Sequence, residues 1–325
     1  MGGTSWTDSA YTSRAATRAA TGKAAFAYDA DIKSGNAAAV SHATLDPSKM
    51  KGDARECRDS TEHPNTTAVF VGFDVTGSMG EVPQVMQKGL PTLMGLLLRQ
   101  GYLADPSICV AGIGDATCDK APVQIGQFES GIEIENDLTN LFLEGGGGGQ
   151  QTESYELALY FLARKTTCDC FEKRQKKGYA IIIGDEMAYP TVRKEYVKNI
   201  FGDGVQGDIA LADILAEAQT KWEVFFVIPR MTSYYDDPKV NKFWRDLLGE
   251  RFVKLQEPAA ISELIASLVG VCEGTVDADD LSGILTKGGT SDVHADAVSR
   301  ALVPVGKSAR TDVSKLASAT GLATL

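Results

Sequence analysis

Positive charge is scarce in this chain: 32 Lys and Arg stand against 43 Asp and Glu, giving a net charge of −11. That deficit argues against a general nucleic-acid binder, whose footprint needs an excess of basic side chains, and against adhesion to anionic lipid. Long apolar runs are missing too, and none approaches the roughly 18–20 residues that span a bilayer. The opening MGGTSWTDSAYTSR has no apolar block behind a basic start, so a secretory signal is not expected. Trp6 stands where a myristoylation motif needs Ser or Thr. Histidine is confined to His42, His63 and His294, far apart in the chain. The six cysteines are Cys57, Cys109, Cys118, Cys168, Cys170 and Cys272. No second close pair accompanies Cys168-Asp169-Cys170, so zinc is set aside and free thiols are expected. These absences leave a soluble, cytoplasmic protein as the expectation.

Apolar material is not scarce. At 43% hydrophobic residues, the chain can bury a sizeable core. Residues 1–65 are rich in Ala, Ser, Thr and Asp with weak periodicity, and read as a partly ordered N-terminal extension that ends at the turn signal Pro64-Asn65. From Thr66 the pattern changes. Residues 68–73 (AVFVGF) form an apolar run suited to a strand buried on both faces. Residues 82–98 carry helical spacing, with Pro83 in the first turn. Further strands are expected at 108–113, 123–128, 179–183, 224–228 and 252–255. Further helices are expected near 153–165, 192–200, 208–221, 238–248 and 259–271. This alternation predicts a doubly wound α/β domain over residues 66–275, with a mostly parallel six-stranded sheet and helices on both faces. Residues 276–325 read as a small helical tail of two or three short pieces, interrupted at Gly288-Gly289 and Pro304.

In an open parallel sheet, ligands sit beyond the carboxyl ends of the strands. Three polar clusters fall there: Asp74-Val75-Thr76-Gly77-Ser78, Gln150-Gln151-Thr152 after five glycines, and Asp185-Glu186. Asp74, Thr76 and Ser78 alternate, so their oxygens can turn toward one point as the chain bends at Gly77 and Gly80. Hydroxyls and carboxylates are hard ligands suited to Mg²⁺, Mn²⁺ or Ca²⁺. With few direct carboxylates, such an ion keeps an open position that a partner's carboxylate can enter.

The set Asp74, Thr76, Ser78, Thr152 and Asp185 resembles the metal-ion-dependent adhesion site of von Willebrand factor A domains, and the order of elements over residues 66–274 is similar to that family's. The resemblance implies direct ligation by Thr76 and Ser78, with Asp74 and Asp185 acting largely through waters. It further implies that Thr152 ligates directly in the ligand-gripping state. The family commonly has Ser where Thr76 stands. Mg²⁺ is the first expectation for the ion. The resemblance also implies an intracellular subunit or adaptor that grips an Asp or Glu of a protein partner, commonly beside AAA+ ATPases, and a final helix (259–271) that shifts with ligand.

Enzyme motifs fail one by one. Thr76 replaces the Gly that a nucleophile elbow around Ser78 needs. The glycine run lacks the Gly-Lys-Ser/Thr ending of a phosphate loop, and Gly112-Ile113-Gly114 meets Thr117 in place of a third glycine. Thr76 also stands where an aspartyl phosphatase places its second Asp. A metal-dependent hydrolase and a purely structural metal site therefore rank behind a non-enzymatic binding module. Around the site, Glu186 is a candidate for the ion's outer shell, and Asp115 and Asp119 are candidates for an accessory cation site or a partner surface. Arg230, Tyr234 and Tyr235 are candidate partner contacts, balanced against simple packing on helix 238–248. The basic stripe Arg164 to Lys177 falls at the opposite end of the sheet and reads as a solvated connector.

Overall fold

A computed structural model describes residues 5–50, 53–146 and 149–320. Its centre is a six-stranded sheet built from β1 (Thr66–Asp74), β2 (Asp105–Ile113), β3 (Val123–Ile125), β4 (Gly178–Ile183), β5 (Trp222–Pro229) and β6 (Phe252–Leu255), in the order β6-β5-β4-β1-β2-β3. All neighbours run parallel except β2 and β3, which are antiparallel. The sheet is therefore mostly parallel with one reversed edge. An apolar run predicts a strand but carries no signal for its direction, and Gly126 ends β3 three residues sooner than the run to Phe128 suggests.

Every residue of β1 and of β4 is buried, as apolar side chains of both parities require. In β1, Val69, Val71 and Phe73 face one core, while Ala68 and Phe70 face the other. The first core is covered by α2 (Val82–Arg99) and α7 (Ile261–Glu273). The second is covered by α3 (Tyr155–Arg164), α4 (Lys194–Phe201), α5 (Leu211–Gln219) and α6 (Pro238–Leu248). In the second core, Phe226 and Trp244 stack with ring centroids 3.7 Å apart, and the ring of Tyr155 meets both edge-on. Such pairs contribute about 0.5–1.5 kcal/mol each beyond burial. Here they fix Tyr155 beneath the rim of the sheet.

The N-terminal extension is more structured than its weak periodicity suggests. Its helix α1 (Asp8–Thr21) is capped by Thr7 and tied down by an ion pair from Arg18 to the buried Glu135, and Trp6, Phe26 and Leu45 join the first core. Residues 55–57 form a short strand parallel to Thr166–Cys168. At the other end, Pro304 does not interrupt the tail. It lies inside α8 (Asp292–Thr320), which follows the short helix Leu281–Lys287. A proline removes one backbone donor and strains one turn, and a helix with a packed face can absorb both. The apolar face of α8, with Ala295, Val298, Leu302 and Val305, is buried in the first core. Among the described residues no helix is long and apolar enough to cross a membrane.

Candidate metal centre at the sheet switch point

The strand order reverses between β1 and β4: from β1 the chain moves outward to β2 and β3, then returns to β4 on the other side. A crevice opens at the carboxyl ends where such a reversal occurs. Asp74 ends β1, and Asp185 follows β4 by two residues, so both acids are delivered to this crevice by neighbouring strands.

Beyond Asp74 the chain turns through a single 3-10 turn, Gly77–Met79. Asp74 Oδ1 accepts from the Thr76 amide (2.7 Å) and from Thr76 Oγ1 (2.6 Å). Thr76 Oγ1 lies 3.2 Å from Ser78 Oγ, and Ser78 Oγ donates to Asp185 Oδ1 at 2.7 Å. The other oxygens of the two acids are also held: Tyr155 donates its hydroxyl to Asp74 Oδ2 (2.7 Å), and the Tyr234 amide donates to Asp185 Oδ2 (3.1 Å). The first contact depends on Gly184, because a Cβ there would lie 2.1 Å from the Tyr155 hydroxyl. Gly77 serves the glycine run in a similar way. Its amide donates to Gly146 O, and a Cβ on it would meet Gly145 O at 2.8 Å. Gly147 and Gly148 of that run lie outside the described residues.

Four of the five expected ligands, Asp74, Thr76, Ser78 and Asp185, thus form one hydrogen-bonded set. Thr152 is brought to the same rim in a two-residue strand paired with Met187–Ala188, directly after Asp185-Glu186. Its side chain, however, lies beside the hydroxyl of Tyr189. Glu186 is buried. Its carbonyl accepts from Trp244 Nε1 at 2.7 Å, and its carboxyl group neighbours that of Glu153. Asp115 is fully buried and repeats the geometry of Asp74 at the end of β2: its Oδ1 accepts from both the amide and the hydroxyl of Thr117, two residues on. Tyr189 and Gln150 bond it as well, and Asp119 Oδ2 accepts from its amide. Arg230 is exposed and Tyr234 partly so, whereas Tyr235 is 6% exposed within the second core, with Lys254 over its ring. Tyr235 therefore packs inward and does not present a surface.

The electrostatics of the crevice are one-sided. Burial pushes the Asp74 carboxyl up to about 7 against the bonds that favour its ionised form, and the negative Asp185 adds to the shift. Burial likewise raises Asp185, Glu153 and Glu186, and the charges acting most strongly on Glu153 and Glu186 are other carboxylates. One carboxyl oxygen each of Glu153 and Glu186 is buried without a hydrogen-bond partner. Buried acids with no opposing charge call for protons or a cation. Among the described residues, no three His, Cys, Asp or Glu side chains converge as a metal-holding group. A site here would have to draw on the hydroxyls of Thr76 and Ser78 as well as on its two aspartates.

Sequence reasoning misses three contributors. Periodicity assigns Tyr155 to the apolar face of its helix, and its ring does lie there, but its hydroxyl serves Asp74. Glu153, next to Thr152, carries no local signal of its pairing with Glu186. Met231, between β5 and Tyr234, is 81% exposed and adopts a φ of 76°, an uncommon conformation for a side chain with a Cβ. The basic stripe is tied into ion pairs: Arg164 to Glu217, Lys173 and Arg174 to Asp59, Lys176 to Glu273 and Lys177 to Glu223.

No family model and no curated protein matches the chain. Among solved structures it is similar to the pilus adhesin SpaC from Lactobacillus rhamnosus GG in its open conformation, at 9% identity over 66% of this chain and 31% of that one, with a TM-score of 0.45. It is also similar to a von Willebrand factor type A structure from Catenulispora acidiphila (13% identity, 63% and 42% covered, TM-score 0.34). A third is the conserved hypothetical protein BatB from Bacteroides thetaiotaomicron (14% identity, 62% and 96% covered, TM-score 0.33). The match spans about a third of the length of the adhesin. At these identities the likeness concerns the path of the chain and transfers no residue roles.

Proposed function

We propose that this chain is a von Willebrand factor A-type binding module in which Asp74, Thr76, Ser78 and Asp185 hold a divalent cation, Mg²⁺ before Mn²⁺ or Ca²⁺, and that it grips a protein partner through an Asp or Glu of that partner. The observation that carries this reading is the chain of contacts Asp74–Thr76–Ser78–Asp185, which joins the ends of two parallel strands at the switch point. Its donor set suits a hard cation: two hydroxyls, two aspartates, and neighbouring buried acids with no opposing charge.

When bound, the cation would offer a positive, partly open coordination sphere to an entering carboxylate. The protein's own groups prepare that position. Tyr155 and Thr76 fix the orientation of Asp74, and the Tyr234 amide fixes Asp185. Thr152, on the same rim beside Tyr189, is the residue available to swing in when a partner docks. Arg230 and Met231 stand exposed on the adjoining loop, whose Ser233 amide bonds Ser78 O. Exposed Arg and Met are suited to partner contacts. A role as subunit or adaptor beside an AAA+ ATPase belongs to the same reading and rests on family resemblance. So does a cytoplasmic setting, which the six free cysteines support.

The test is a pull-down from source extract with wild type and Asp74→Ala, each with Mg²⁺ and with chelator. A partner retained only by wild type plus Mg²⁺ is the expected result. Retention by Asp74→Ala would sink the proposal. So would metal-dependent phosphatase or esterase turnover lost in Asp74→Ala, which would make the chain a hydrolase.

A further inference from the structure

A second cleft opens where β5 and β6 end, at the same edge of the sheet as the acid crevice. Strands lie about 4.8 Å apart, so β6 stands roughly 10 Å from β4 along that edge. The cleft encloses about 530 Å³, within the range of ligand-binding pockets. Its walls come from three places: Arg230 after β5, Lys254 and Glu257 at the end of β6, and Val293, Asp296 and Arg300 on α8. Both walls are held in place. The Arg230 amide donates to Leu255 O at 2.8 Å, which pins the loop after β5 to β6. On the other side, Val298 and Leu302 of α8 are fully buried in the first core. The cleft is therefore formed before any ligand arrives, which lowers the cost of binding one.

Mixed charge on a surface is ordinarily just a solvated face. Here three cations from three separate elements line one cavity, and each is open to an incoming carboxylate. Arg230 is exposed, and its Nη1 meets the neutral Gln256 Oε1 at 3.4 Å. Lys254 reaches Asp236 at 3.3 Å and Arg300 reaches Asp296 at 3.7 Å, but both acids are largely exposed, and such pairs are weak enough to exchange partners. Apolar surface gathers at the same place. Among the described residues, Met231 and Val293 are the most exposed large apolar side chains, at 81% and 62%; Val293 lines the cleft and Met231 adjoins it through Arg230. The chain's net charge of −11 opposes an anionic ligand at long range. Screening acts over about 8 Å in physiological salt, however, so the cations in contact decide.

We propose that this cleft docks an extended peptide segment whose carboxylates flank an apolar residue, and that it does so without a metal ion. Arg230, Lys254 and Arg300 take the carboxylates, the two guanidinium groups offering paired donors that match a carboxylate's two oxygens. The apolar residue lies along α8, where Val293, Ala297 and Ala301 recur every four residues and so share one stripe. Glu257 and Asp296 sit among the cations. They disfavour a densely charged ligand such as a polyphosphate or a nucleic acid, and they suit a peptide, whose backbone amides can donate to them. The cleft shares Arg230 with the partner surface proposed above but not that surface's need for a cation.

The experiment titrates the full chain, with chelator present, into a fluorescein-labelled peptide in which glutamates flank a leucine, and follows fluorescence anisotropy. A second peptide carries glutamine at every glutamate. Saturable binding of the first peptide and none of the second is the expected result. Arg230→Ala and Arg300→Ala should each weaken it about tenfold, and Val293→Ser should weaken it severalfold. Lys198→Ala, exposed on α4 over the other face of the sheet, should leave it unchanged. All of these positions are exposed, so equal melting temperatures check that the variants fold, and the comparison of the two peptides needs wild type alone. No saturable binding overturns the proposal, as does equal binding of the glutamine peptide. Binding that appears only with Mg²⁺ and survives both arginine substitutions also overturns it, because the peptide then sits in the acid crevice. Binding in chelator that is lost with the arginines upholds the cleft whether or not the crevice takes a cation.

Discussion

Ser78 and Asp185 are 107 residues apart in the chain, yet the Ser78 hydroxyl donates to Asp185 Oδ1 at 2.7 Å. This contact ties the turn after β1 to the turn after β4 and closes the crevice between them. Ser78→Ala removes one donor from a buried acid that keeps another, the Tyr234 amide. We expect a loss of about 1 kcal/mol in denaturant unfolding and a weakening of Mg²⁺ binding of about tenfold or more by titration calorimetry, the scale on which ligand-shell changes act. Unchanged Mg²⁺ affinity would remove Ser78 from the ion's coordination.

Tyr155→Phe keeps the aromatic packing on Phe226 and Trp244 and deletes only the hydroxyl that serves Asp74. The buried Asp74 Oδ2 is then left without its donor, at a cost of about 1–3 kcal/mol. Unfolding at pH 8, where Asp74 is ionised, measures it. Stability equal to wild type would mean that water replaces the hydroxyl in the crevice.

Arg18→Ala should separate α1 from the domain. Glu135 is 2% exposed in its side chain and paired with Arg18, with Arg14 more distant at 3.7 Å. Breaking a buried pair from one side costs about 3 kcal/mol. Hydrogen exchange should show α1 opening before the sheet, and uniform protection of α1 in the variant would refute the coupling.

On the proposed reading, protons and the cation compete for Asp74. Its carboxyl is raised to about 7, so Mg²⁺ binding should weaken about tenfold from pH 8 to pH 6. Asp137 provides an independent check in cation-free protein. Burial raises its carboxyl to about 7 in the fold, above its unfolded value. The native state then binds the extra proton between the two values, so this contribution is full at low pH and is lost as pH rises through 7. Asp137→Asn should flatten that part of the stability profile between pH 5 and 8.

Much of the architecture is legible because burial on both faces writes itself into composition. In β1 and β4 there is no polar parity to mistake, and α6 matches the expected 238–248 because Asp237 caps it and Gly249 ends it. The metal-site candidates are legible for a related reason: oxygen-bearing side chains that alternate directly after an apolar strand fall at the sheet's rim, where packing has little use for them. What escapes is long-range and one-off. Nothing near Glu153 announces Glu186, and nothing near Cys57 announces Cys168, since two three-residue strands carry no register signal of their own. The Tyr235 ring is ambiguous by position alone. The ring packs into the second core, with Lys254 of β6 over it.

The crowding of unopposed acids beneath the rim has a kinetic corollary. Under the proposed function, an incoming aspartate or glutamate would be repelled by Asp74, Asp185 and their neighbours until a positive charge had been loaded, so the ion should bind before the partner. Capture should be sequential and obligatory: it should begin from ion-loaded molecules alone, at a rate that saturates with Mg²⁺, and chelator added after docking should act only as fast as the complex dissociates.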